Sequence, residues 1–140
     1  MSRRANAIAA GLGLYVVLVM ASYAVHRLAF GITGGPYPIW YSVGWEIFDA
    51  AKAVVPGAAA GWLCRTGAVR SGAIVGGIGG LIQFSAFLTL GVLNVIPFSG
   101  APGRMILDIV VLALTSAFTN AIGAAAGVFL HDSGSSMQRA

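Results

Sequence analysis

Apolar residues in this chain do not alternate with polar ones. They run in four long blocks, from about Ala5 to Phe30, Ser42 to Leu63, Val69 to Leu93 and Met105 to Leu130. Each block is close to the roughly 20 residues that cross a hydrocarbon core about 30 Å thick. Within lipid a backbone must satisfy its own polar groups, so blocks of this length are read as helices. The pattern predicts an all-α integral membrane protein. Its expected architecture is a four-transmembrane-helix bundle, one transmembrane domain over 1–140 with a short polar tail at 131–140 that frays. The stretch Gly31 to Tyr41, with Gly34, Gly35, Pro36 and Pro38, reads as a turn-rich connection rather than a helix.

Composition sharpens this picture. Hydrophobic residues make up 58% and charged residues 9%, against roughly 25% charged in a typical soluble domain. A water-soluble fold would lack the polar residues to cover itself. The formal net charge of +4 does not point to nucleic acid, because the arginines stand at block ends and no basic patch is interleaved with aromatics. The lipid bilayer is the expected partner.

Charge placement also predicts direction. Arg3, Arg4, Arg65, Arg70 and Arg139 fall on one side of the four blocks, and Arg27 and Arg104 on the other. The positive-inside rule makes the first side cytoplasmic, with both termini on it, as in a multi-pass protein of a bacterial inner membrane. Tyr37, Trp40, Tyr41 and Trp45 then form an aromatic belt at the opposite interface. Arg3 and Arg4 with Ser22-Tyr23-Ala24 resemble a signal peptide, but the apolar stretch is longer than a signal core and is read as a permanent helix.

Glycine and alanine carry the packing. Gly57 and Gly61, Gly72, Gly76 and Gly80, and Gly123 and Gly127 form small-residue stripes of the kind that let membrane helices approach closely. Surplus small faces suggest a homo-oligomer or a place in a larger membrane complex. Gly57-Ala-Ala-Ala-Gly61 recurs as Gly123-Ala-Ala-Ala-Gly127, and Gly35-Pro36 resembles the turn Phe98 to Gly103. These repeats suggest two duplicated helical hairpins related by an axis along the membrane normal. The glycines of the third block follow no strand and lack the Lys-Ser/Thr of a phosphate loop.

Candidate chemistry lies with the charges inside the blocks. An ionised side chain deep in a bilayer costs at least about 2.5–3.5 kcal/mol, so such groups pair or face water. Glu46, Asp49 and Lys52 share a sector of the second block, and Asp108 enters the fourth at similar depth. Thr115, Thr119 and Asn120 continue the face of Asp108, and Gln83 lies on the glycine stripe of the third block. Together they sketch a polar track for an ion or small solute, with Lys52 pairing to Asp49 or Asp108 and Pro56 kinking the helix beside it. The leading expectation is an oligomeric channel or transporter. The alternative is an accessory, assembly or immunity-type subunit that binds another membrane protein, its charges serving as a structural clamp.

Catalysis is not expected. No activated serine or cysteine is visible, and Asp49 with Asp108 is the pair that acid–base chemistry would have to use. Cys64 is the single cysteine, and His26 and His131 stand at opposite ends of the blocks. Neither a haem, a metal nor another cofactor is predicted.

Overall fold

The computed structural model describes residues 2–33, 39–92 and 102–137; for 26, 27, 29–33, 39–42, 45, 90–92, 102–104 and 135–137 it describes the backbone alone. The described residues form four α-helices: α1 (Arg3–Thr33), α2 (Ile39–Leu63), α3 (Ala68–Val92) and α4 (Pro102–Met137). The fold is all-helical. Three segments are long and apolar enough to cross a membrane: Arg3–Val25, Ala68–Thr89 and Met105–Gly134. α2, with Glu46, Asp49 and Lys52, does not meet that standard.

Two boundaries differ from the sequence expectation. The Gly31–Tyr41 connection is shorter than its glycines and prolines suggested, because α1 continues to Thr33 and α2 starts at Ile39. The polar tail does not fray at once. α4 runs on to Met137, held where Arg65 pairs with Asp132 and donates toward Nδ1 of His131 at 3.0 Å, while the Ser133 hydroxyl donates to the Phe129 carbonyl. The turn Phe98–Ala101, Tyr37 and Arg139 lie outside the described residues, as do the side chains of His26, Arg27, Trp40, Tyr41, Trp45 and Arg104.

Large apolar side chains point outward and small ones inward. Val17, Met20, Ile47, Ile106, Leu114, Phe118 and Phe129 are exposed, whereas Ala7, Ala60, Ala68 and Ala124 are buried together with Tyr15, Val19, Val75 and Phe84. Burial of bulky groups, limited to a few such as Tyr15, Val75 and Phe84, is therefore a minor part of what holds the helices together. Backbone contact is the major part. A Cβ on Gly76 would stand 2.5 Å from the Ser116 carbonyl carbon, and one on Gly72 would stand 2.6 Å from Cβ of Ala124, so α3 lies antiparallel against α4 with no room for a methyl group.

The contact between α2 and α4 is reciprocal. Gly57 and Gly61 sit against the backbone of Asn120 and Ala124, while Gly123 and Gly127 sit against the backbone of Val54 and Ala58. Each glycine meets the residue three positions before the glycine of its neighbour, and both registers advance together. The two helices are thus parallel, and a rotation about an axis along them maps each residue of the contact onto the one 66 positions later. α1 breaks the symmetry. Where α3 presents Gly72, Gly76 and Gly80 to α4, the corresponding α1 positions are Asn6, Ala10 and Leu14, too large for the same approach.

α1 instead buries the stripe Ala7, Gly11, Tyr15, Val19 and Ser22 against α2 and α3. A Cβ on Gly11 would lie 3.0 Å from the Pro56 carbonyl oxygen and 2.8 Å from Cγ2 of Val75. The Tyr15 ring lies over Gly79, where a Cβ would come within 2.7 Å of it. The α2–α3 turn is closed by Gly67, whose φ of 72° favours a residue without a Cβ.

Candidate functional site

Lys52 and Asp49 lie one helical turn apart on α2, and the ammonium donates to Asp49 Oδ1 at 2.7 Å. The two ends of this pair differ in environment. The Lys52 side chain is 10% exposed and that of Asp49 is 42% exposed, so the lysine is covered by the bundle while its carboxylate stands at the boundary. Among the described residues neither Glu46 nor Asp108 joins the pair; both are exposed.

A second polar group lies between α1, α3 and α4. The Tyr15 hydroxyl donates to Gln83 Oε1 at 3.0 Å and stands 3.3 Å from Ser116 Oγ. Tyr15 carries no charge and sits in a helix of nearly uniform hydropathy, so it did not stand out as a site residue in the sequence. Its signal was positional: it is the one large polar side chain in the stripe of small residues that α1 buries.

The third group is built around Pro56. A proline has no amide to give the carbonyl four residues before it, and its ring opens the helical turn. The next amide, that of Gly57, donates across the interface to Asn120 Oδ1 at 2.8 Å, and Asn120 Nδ2 donates to the Ser116 carbonyl at 3.0 Å. Pro56 and Asn120 are both fully buried. Asn120 is thereby committed to the backbone of two helices.

The sequence-derived polar track is thus divided among separate environments. Gln83 belongs to the tyrosine group and Asn120 to the proline group. Thr119 donates to the carbonyls of Thr115 and Ser116 within its own helix, and Thr115 is exposed. Among the described residues no buried side-chain nitrogen or oxygen lacks a hydrogen-bond partner.

At the end of the bundle formed by the start of α1 and the α2–α3 turn, Arg65, His131 and Asp132 gather beside Trp62. The Trp62 and His131 ring centroids are 5.1 Å apart. Cys64 is buried there, its thiol directed at the Thr66 carbonyl at 3.3 Å. No protein-family model, curated protein or solved structure matches the chain.

Proposed function

We propose that the chain is a four-span membrane protein that works as a binding and assembly subunit, with its termini and the α2–α3 turn on the cytoplasmic side. The observation that carries this reading is the closed interior. α2, α3 and α4 meet backbone to backbone at Gly57, Gly61, Gly72, Gly76, Gly123 and Gly127, and the polar groups between the helices are bonded to one another. The outward face of bulky apolar side chains over a core of alanine and glycine supports insertion in lipid. α2 is the fourth span in this reading. Glu46 lies only two turns from its start, near the interface, and Lys52 is covered. Arg3, Arg4, Arg65 and Arg70 at one end of the bundle support the direction.

Common ancestry of the two hairpins is part of the same proposal. The 66-residue register that relates the α2–α4 contact to itself also aligns Arg4 with Arg70, Ala7-Ile8 with Ala73-Ile74, Gly11 and Gly13 with Gly77 and Gly79, and Pro36 with Pro102, without a gap. The second hairpin has Thr115 and Phe118 where the first has Asp49 and Lys52, so the ion pair belongs to one repeat only.

Glu46, Asp108 and Thr115 support a role at an interface, because they are exposed on helices whose remaining surface is largely apolar. A second copy or another membrane protein supplying polar groups to these positions fits the reading. Transport is the competing use of the same residues, and its path would then run between copies rather than through one chain.

Reconstitution in liposomes tests the two. The expected result is no flux of protons, alkali cations or small anions above empty vesicles, together with loss of a native-gel complex when Glu46→Gln is combined with Asp108→Asn. Flux that Lys52→Met or Asp49→Asn abolishes while the variant remains folded overturns the assembly reading in favour of transport.

A further inference from the structure

The end of the bundle away from Glu46 and Asp108 holds a cleft of about 660 Å³ between the start of α1, the α2–α3 turn and His131 of α4. Its walls carry Arg3, Arg4, Arg65 and His131, with Trp62 and Leu63 as an apolar shoulder. The charges are unevenly balanced. Arg65 is paired with Asp132, but among the described residues neither Arg3 nor Arg4 has an ion pair, and the first turn of α1 has no acidic residue. The N-terminal end of the 31-residue α1 adds its positive field to the same space.

We propose that this cleft binds a phosphate group, carried by the head group of an anionic lipid. Guanidinium groups match phosphate oxygens with paired N–H donors, and here two arginines line one cavity with no carboxylate partner among the described residues. Trp62 and Leu63 are 49% and 54% exposed at its edge. An apolar shoulder beside a basic floor suits a ligand whose phosphate continues into glycerol and acyl chains. Trp62 also fits the boundary between head groups and hydrocarbon, where an amphipathic ring is favoured. The lipid form of the site rests on the membrane reading above; binding of phosphate itself does not.

The test uses the full-length chain with Trp40 and Trp45 changed to Phe. Trp62 then remains as the single indole of the three, on the cleft wall. Its fluorescence is followed in phosphatidylcholine nanodiscs as phosphatidylglycerol replaces phosphatidylcholine in steps, and separately as glycerol 3-phosphate is added to the protein in neutral detergent. A saturable change is expected with phosphatidylglycerol. Arg3→Gln with Arg4→Gln should raise its midpoint by about ten-fold or more, through loss of two charge-assisted contacts to the phosphate. Arg3→Lys with Arg4→Lys, which keeps the charge, should shift it far less.

Arg70 lies at the same end of the bundle but outside the cleft, so Arg70→Gln is the control, with less than about a two-fold shift expected. An unsaturated, linear response, or a loss with Arg70→Gln as large as with the cleft variants, overturns the site in favour of diffuse surface attraction. Saturation by glycerol 3-phosphate alone keeps the phosphate site and makes a soluble ester its occupant. Circular dichroism on each variant confirms that the helices are intact before the midpoints are compared.

Discussion

The Gly57 amide donates to Asn120 Oδ1 across 2.8 Å, from α2 to α4, one residue beyond Pro56. A helix weakened by proline is repaired here by its neighbour. The repair also fixes register, since Asn120 lies in the same contact in which Gly57 excludes a side chain.

Removing the repair should be costly. Asn120→Ala removes this acceptor from the buried Gly57 amide, and about 1–3 kcal/mol of stability is expected to be lost. Pro56→Ala restores an amide and lets the turn close, so Asn120→Ala should cost less in that background. Unfolding in mixed micelles by SDS titration measures all four corners of the cycle. Equal costs in the two backgrounds would sever the link between the proline and the asparagine.

The glycines separate into two groups by the space around them. Gly76→Ala and Gly57→Ala place a methyl group against the backbone of α4, which cannot turn aside as a side chain can. A loss at or above the roughly 1–3 kcal/mol typical of overpacking is expected. A Cβ on Gly13 or Gly44 would meet nothing within 4 Å, and alanine there should be neutral or stabilising through its better helix propensity, by up to about 1 kcal/mol. Thermal melts in one detergent compare the four directly. A uniform loss would mean that glycine acts through something other than space.

Much of the helical architecture was legible from the lengths of the apolar blocks, because the backbone of so apolar a stretch has few alternatives to helix. The glycine stripes also marked the positions where α2, α3 and α4 come closest. The candidate site was harder to read. Small residues occupy more than one face of α4, so periodicity could not say which face meets α2; the observed rotation leaves Asp108 and Thr115 exposed and takes Asn120 inward. Tyr15 was hidden for the opposite reason: a single hydroxyl in the apolar run from Ala7 to Ala21 gives no periodic signal. The extension of α4 to Met137 depends on Arg65 of a distant turn, which local polarity could not reveal.

Tyr15→Phe should lower stability by about 0.6 kcal/mol, the average for a hydrogen bond between membrane helices, because it removes the hydroxyl that Gln83 and Ser116 share. Gln83→Leu in the same cycle should show a coupling of similar size. A null coupling, read by SDS-titration unfolding, would mean that the 3.0 Å contact adds nothing beyond the packing of the ring on Gly79.

The Lys52–Asp49 pair should respond asymmetrically, and the direction follows from burial. Asp49→Asn leaves an ammonium whose side chain is only 10% exposed without its carboxylate, whereas Lys52→Met leaves a carboxylate that is 42% exposed and not enclosed by the other helices. The first change should cost about 2 kcal/mol, less than the roughly 3–5 kcal/mol of a fully buried pair, because this pair is only part-buried. The second should cost under about 1 kcal/mol, since methionine fills the space of the lysine stem. The double variant removes both charges and should recover most of the loss. Reversible unfolding of the three variants decides the matter: equal single losses would place the two charges in the same environment, and a larger loss for Lys52→Met would make Asp49 the buried partner.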